Sequence, residues 1–483
     1  MELGEQFEAG CLARIIDVAV DRLDSSVLEA AYRGVGERAF PPNLMLKMAL
    51  FEMQEGRGSP AQWYRDARVH KAMLWLGRGI QPSRTACYTF RDRLGKIIDL
   101  LHKSMINQVL AEESVDPETG ILDGTTIRAF ASRHRLVNRE TLLQRREKLA
   151  AQMDADTLDS VASFDGDQPS WMANTRTGRL EQAQRFDQAK EILEQRIQEN
   201  AKKPKDKRLK ENYVKVSISE PEAPLGRDKE KVFCPLYTAE FVVEPSSLLI
   251  LSWDVFAQAT DTGTLALMID RTQQIVDGKL EKVIADAGYV SVLDLRACQQ
   301  RNIDLVAPVQ ENTFTKKKQA KANTNQIGRD KFTWLPTEQT YVCPQGHRLD
   351  YRGKQRKRRW GDQHIIEYRY QCSPQHCEGC LLARQCVRDP TKGRTVKRLE
   401  GQDLLDEQRE KMKEGDARAD YKQRSAVIER AFADMKRNRQ FRRLHGRGLA
   451  RAKTQVGLVV LAQNILTAHR LHENRLKQVE CET

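Results

Sequence analysis

The sequence predicts a mixed α/β core that is interrupted by two long insertions and preceded by an all-helical region. Three patterns carry this. Residues 237–309 alternate short β-branched runs with helical ones, the arrangement of a sheet packed with helices. Within residues 1–112 the apolar side chains recur only at helical spacing. Two stretches, 136–230 and 311–418, turn strongly polar, and the second gathers five of the ten cysteines.

Charge and length narrow the class. The 483 residues suffice for two to four domains. A net charge of +13 favours a polyanionic partner, nucleic acid before membrane. No apolar run approaches the roughly 20 residues of a membrane-spanning helix. The acidic start, MELGEQFEAG, lacks the apolar centre of a secretion signal. A local cluster of cysteines suits a metal in a reducing compartment better than a disulfide framework. The expectation is a soluble cytoplasmic protein.

Residues 1–112 are expected to form a helical DNA-binding domain. Pro41-Pro42-Asn43 starts one helix, with Leu44, Met45, Met48, Ala49 and Phe51 as its apolar face, and Gly56 to Pro60 ends it. Trp63, Tyr64, Val69, Met73, Leu74 and Leu76 mark a second helical set. Pro82-Ser83 then opens a short basic helix through Arg91 and Arg93. Such a helix suits the recognition element of a helix-turn-helix, and an ordinary helical bundle fits equally well.

Residues 113–135 begin the core. Ile121 to Phe130 reads as a strand with Asp123 and Thr125 on one face, or as two short strands about an Asp-Gly turn. An aspartate inside an apolar strand is costly without a partner or a metal. Residues 136–230 read as a helical charged insertion, with Leu180, Ala183, Phe186, Leu193 and Ile197 as its stripe, Trp171 in a loop, and Lys202 to Glu211 as a solvated basic link. The core resumes over 231–310. Tyr237 to Val243 and Leu248 to Val255 form a hairpin, Leu265 to Ile275 a helix, Lys282 to Tyr289 a strand ending in Asp286, Val292 to Gln300 a helix, and Ile303 to Val309 a strand. Asp286 falls at the C-terminal end of its strand, where open α/β sheets place their chemistry.

The insertion over 311–418 holds the Lys316-Lys317-Lys318 run and the cysteines. It is polar and is expected to lack a core of its own. Cys377, Cys380 and Cys386 supply three closely spaced thiols, and Cys343, in Cys-Pro-Gln-Gly-His347, a fourth. Four soft ligands in two short loops suit a closed, structural zinc site. Cys372, His347 and His376 compete for the fourth place, and free thiols are the alternative.

Residues 419–472 close the core, and 473–483 form a tail. Tyr421 to Lys436 reads as one amphipathic helix with Val427, Ile428, Ala431, Phe432 and Met435 inward. Glu429 flanks this stripe, and Lys436, seven residues on, returns to nearly the same angle. The basic residues Arg437, Arg439, Arg442, Arg443, Arg447, Arg451 and Lys453 follow, and then an apolar helix, Val456 to Ala468. Asp123, Asp286 and Glu429 together would hold two Mg²⁺ ions for an in-line phosphoryl displacement. Tyr421, Arg424, Lys436, Arg437 and Arg439 would bind the DNA, and Arg424 and Lys436 can hold phosphates.

These motifs, LDGTTIRAFASRHR around Asp123, VIADAGY around Asp286 and Y-x2-R-x4-E-x6-K around Glu429, resemble the DDE transposases of bacterial insertion sequences, in the branch with a Tyr-Arg-Glu-Lys signature. The FRDRL ending of the helical region and the C-x2-C-x5-C insert are similar to that branch too, so the likeness spans most of residues 20–470. It implies an RNase H-like core, with Asp123 on its first strand, Asp286 on its fourth and Glu429 on a late helix. It implies Mg²⁺- or Mn²⁺-dependent cleavage at terminal inverted repeats, strand transfer by the freed 3′-hydroxyl, and self-association on double-stranded DNA. Two departures stand out. The step from Arg424 to Glu429 is one residue longer than the commonest form, and Phe233 to Tyr237 replaces a frequent Gly-Tyr-Asn. The competing readings are a non-catalytic DNA-binding regulator derived from a transposase, and another RNase H-like nuclease such as a junction resolvase.

Overall fold

The computed structural model describes residues 7–8, 10–32, 39–158, 169–203, 205–228, 230–310, 327–358 and 364–482. The chain divides into two compact units, one of Met1–Asp261, Leu267–Leu280 and Gln423–Thr483, the other of Thr262–Ala266 and Glu281–Lys422. It is a mixed α/β protein. No described helix is long and apolar enough to cross a membrane.

In the first unit, every described regular element from Leu12 to Glu112 is a helix. The punctuation read from the sequence is where the helices start. Pro42 opens Pro42–Gln54 and Pro60 opens Pro60–Val69, each at a position where a missing N–H costs nothing. Ser83 caps Arg84–Leu94 by accepting the Ala86 N–H at 3.1 Å. The apolar faces of these helices close on a long helix, Leu449–Glu482, whose residues 456–462 are all buried. At Gly457 that helix passes so near its neighbours that a Cβ would lie 2.6 Å from the Trp253 ring and 2.7 Å from Ile98. Only glycine allows that approach.

The sheet of this unit is built on β1 (Thr119–Arg128), β4 (Leu225–Arg227), β5 (Phe233–Val243) and β6 (Ile250–Phe256), after the small ladder of β2 (Leu136–Val137) with β3 (Val216–Ser217). β5 is the spine. It runs antiparallel to β1, from Ile121↔Val243 to Arg128↔Leu236, and antiparallel to β4 and β6. The expected hairpin is therefore present. Where β6 shifts register, Asn464 of the long helix answers both backbone groups of Ile250, accepting its N–H at 3.0 Å and donating to its carbonyl at 2.9 Å. The ladder's lost bonds are thus recovered from a helix.

The charged insertion is a pair of helices, Arg139–Leu158 and Arg176–Ala201, around a small core of its own that includes Leu142, Leu149, Phe186 and Leu193. Trp171 packs on Phe186 at 5.9 Å and anchors its loop. Leu180 departs from the expected stripe and is 49% exposed. It lies six residues before Phe186, which turns it about 120° away from the buried side.

In the second unit, β7 (Lys282–Ile284) and β8 (Asp304–Val306) are parallel and joined through the helix Val292–Gln300. A five-stranded antiparallel sheet follows: β9 (Thr333–Leu335), β10 (Thr340–Val342), β11 (Arg348–Arg358), β12 (His364–Cys372) and β13 (Thr395–Leu399), in the order β13-β12-β11-β10-β9. The expectation that residues 311–418 lack a core is overturned. Tyr341, Leu349, Tyr370, Phe332 and Val396 are buried together, with Trp334 packed on them. Rings of Trp334 and Tyr341 sit 4.8 Å apart, and the buried Arg398 guanidinium lies 3.9 Å over Trp334. Aromatic side chains interleaved with charges look polar in composition yet carry large apolar area. The Lys316-Lys317-Lys318 run lies outside the described residues.

Candidate functional site

Asp123 sits mid-way along β1, between the buried Leu122 and Gly124, as a single strand rather than a turn. It pairs across the sheet with Phe241 of β5. Side chains at 123 and 125 share that face. The helix Gly415–Ala433 covers it through Phe432, whose ring meets Phe241 at 5.6 Å in a T-shaped contact. Its inward stripe is the expected one: Val427, Ile428, Ala431, Phe432 and Met435 are all buried.

The helix sends two cations to β1. Arg424 Nη1 meets Asp123 Oδ2 at 3.0 Å, and both side chains are largely shielded. The other carboxylate oxygen, Oδ1, accepts the Gly124 N–H at 2.8 Å. Lys436 Nζ donates to Thr125 Oγ1. Glu429 lies between these cations in sequence, is exposed, and accepts from Ser425 Oγ at 3.0 Å. The helix leaves α geometry at Asp434, where Asp434–Asn438 forms a π turn. Lys436 therefore does not simply fall beneath Glu429, because the wider turn changes its angle.

The basic residues separate into two kinds. Arg437, Arg442, Arg443 and Arg447 are exposed. The last two lie 5.5 and 5.9 Å over the ring of Phe130, just beyond β1. Arg439 is buried, donating to Gln54 at 2.8 Å and to Asp434, and burial pulls its guanidinium down to about 10. It is a structural cation inside the unit, so the DNA-binding role expected of it is withdrawn. Arg451 pairs with Asp92 at 3.0 Å and Lys453 with Asp254 at 2.6 Å. Tyr421 is partly buried. Asp286 follows β7, and its Oδ1 accepts the Gly288 N–H at 2.6 Å, capping the turn Ala287–Tyr289.

In the second unit, Cys343, Cys372, Cys377, Cys380 and Cys386, with His376, line one cavity of about 20 Å³. Cys343 heads a tight turn in which the His347 N–H points at its sulfur at 3.3 Å, and Gly346 supplies the left-handed residue at φ +82°. The rings of His347 and His376 stack 4.1 Å apart. Burial, the hydrogen bond with Cys377 and the neighbouring thiols push Cys372 up to about 12. Burial also raises Cys386, partly offset by Arg394. Thiols are the right donor type for zinc. Among the described residues, however, no group of three or more His, Cys, Asp or Glu side chains has a metal-holding arrangement.

Residues 342–469 match the family described as Transposase DDE domain. This stretch is similar to a transposase DDE domain. No curated protein matches the chain. The match covers roughly a quarter of the sequence and takes in the thiol cluster, the helix with Arg424 and Glu429, and Lys436. Asp123 and Asp286 lie before it. Sequence reasoning overlooked Glu240, which is fully buried opposite Gly124 in β5. A Cβ at residue 124 would fall 2.7 Å from its carboxylate, so Glu240 helps to keep glycine between Asp123 and Thr125. Its signal was an acid within the otherwise apolar run from Tyr237 to Val243.

Proposed function

We propose that this protein is a DNA transposase that binds the terminal inverted repeats of its insertion sequence and cleaves and joins DNA there. The observation that carries the reading is the helix and following turn of the matched stretch, which lay Arg424 on Asp123 and Lys436 on Thr125, with the exposed Glu429 between them in sequence. Carboxylate oxygens are the donors that Mg²⁺ and Mn²⁺ take. Asp123, Glu429 and Asp286 are the right donor type, and since no three such side chains among the described residues stand in a metal-holding arrangement, they are grouped on the strength of the sequence resemblance to RNase H-like DDE enzymes. Two such ions, if held there, would supply stabilisation of the attacking and leaving oxygens of an in-line displacement. In the first step water attacks the scissile phosphorus and the P–O3′ bond breaks. The freed 3′-hydroxyl then attacks a target phosphodiester and releases a new 3′-hydroxyl there. Arg424 and Lys436 hold backbone phosphates, and Arg437, Arg442, Arg443 and Arg447 extend a basic surface along the duplex. We place the protein in the cytoplasm, self-associated on DNA.

The wild-type chain is expected to cut a labelled duplex carrying the element's end with Mg²⁺ or Mn²⁺ and not with EDTA. Glu429→Gln and Asp286→Asn should each stop cutting and keep binding. Binding without cutting by the wild type would instead identify a regulator. Cutting that survives either substitution would remove that carboxylate from the set.

The thiols of Cys343, Cys377, Cys380 and Cys386, beside Cys372, read as a structural zinc site that closes around its ion. They fit zinc in kind, and among the described residues their arrangement is not that of a ligand set. About one zinc per chain should survive dialysis, and Cys377→Ser with Cys380→Ser should lose it and lower the melting temperature. A zinc-free wild type with an unchanged melt would leave these as ordinary thiols.

A further inference from the structure

The lengthened step between Arg424 and Glu429 has a geometric result. A residue four positions before Glu429 would share its face of the helix, about 40° away. That place belongs to Ser425, which donates to Glu429 at 3.0 Å. Arg424, one residue earlier, is turned about 140° from Glu429. It extends to β1 and meets Asp123 Oδ2 at 3.0 Å. With Oδ1 held by the Gly124 N–H, both oxygens of Asp123 are engaged within the chain. The pair is shielded, at 18% and 19% side-chain exposure, so solvent weakens it less than an open surface pair.

We propose that Arg424 is an internal counter-ion that holds Asp123 against divalent metal until DNA arrives. The inference rests on Asp123 being a metal-holding carboxylate. A guanidinium and a divalent cation compete for the same oxygen. A backbone phosphate offers Arg424 a second anion of matching, two-oxygen geometry. Transfer of Arg424 from Asp123 to that phosphate releases Oδ2 from the guanidinium. Metal and duplex then strengthen each other's binding, and the coupling must be reciprocal. Without DNA the protein would stay poorly loaded with metal.

The test is Mn²⁺ affinity of the full chain, read from the electron paramagnetic resonance of free Mn²⁺, without DNA and with a blunt duplex of unrelated sequence. Without DNA, Arg424→Gln should bind Mn²⁺ about tenfold more tightly than wild type. Arg424→Lys, which keeps the charge, should remain as weak as wild type. The duplex should tighten Mn²⁺ binding to the wild type and hardly change it for Arg424→Gln. Equal affinity of Arg424→Gln and wild type without DNA overturns the proposal. If Arg424→Gln fails to fold, the duplex effect on wild type and on Arg424→Lys decides alone, and no tightening overturns it. Asp123→Asn with the duplex present tells the two levels apart. If, with the duplex bound, it binds Mn²⁺ as tightly as wild type does, Asp123 is no ligand, and the underlying reading fails along with the inference.

Discussion

Asp123→Asn is expected to reduce metal-dependent cleavage by on the order of a thousandfold or more, since loss of even an outer-shell partner of a metal costs about 10–100-fold. The substitution keeps the side chain's size and one oxygen, and it removes the negative charge. Stability should change little. The wild-type carboxylate offsets Arg424 at 3.0 Å, and a partly shielded pair of this kind contributes about 1 kcal/mol. Duplex binding should hold or rise slightly, because Arg424 is freed toward phosphate. A gel-shift titration, a cleavage time course in Mg²⁺ and a thermal melt check the three statements. Cleavage within about tenfold of wild type would exclude Asp123 from the reacting centre.

Glu52→Gln should change stability most, and with a definite pH dependence. Glu52 is fully buried on the helix Pro42–Gln54, and neither carboxylate oxygen has a hydrogen-bond partner among the described residues. Arg57 approaches to only 3.5 Å and is shared with Asp66 at 3.2 Å. Burial first, and then the charge of Asp66, raise the carboxyl to about 8, with Arg57 offsetting part of the rise. The folded chain therefore keeps a proton on Glu52 that the unfolded chain has released above its ordinary value of 4.5. Stability is fullest below that value and falls as pH rises toward about 8, by up to about 4 kcal/mol. Glutamine mimics the protonated form. Denaturant melts should show the variant more stable than wild type at pH 8 and nearly equal at pH 5. A pH-independent difference would mean that Glu52 stays ionised in the fold.

Local signals were legible in the sequence. Pro42, Pro60 and Ser83 set helix starts within a few residues of themselves, and a hairpin between two apolar runs needs only a turn. The strand of Asp123 and the stripe from Val427 to Met435 follow from periodicities of two and 3.6. What escaped depends on partners far along the chain. Arg439 looks like its neighbours in a basic run, and only Gln54 and Asp434 draw it inside. The sheet β9–β13 was hidden because its core is made of Tyr and Trp between charged residues, and composition counts those charges first. Glu240 was passed over because its meaning lies in Gly124, which faces it across the ladder. The pairing of Arg424 with Asp123 depends on a rotation that spacing alone does not reveal.

The turn Asp434–Asn438 bears on how insertions are tolerated. Its N–H of Arg439 reaches back five residues to Asp434, and that of Phe441 six to Met435. Each such ring takes in more chain than an α turn does. An extra residue upstream, such as the one between Arg424 and Glu429, would swing everything after it by about 100° in an unbroken helix. A loosened coil downstream can swallow that surplus and hand Phe441 and Leu444 back to their buried seats. Along this stretch, distance is better reckoned in turns than in residues, and a gap in an alignment need not mean a displaced side chain.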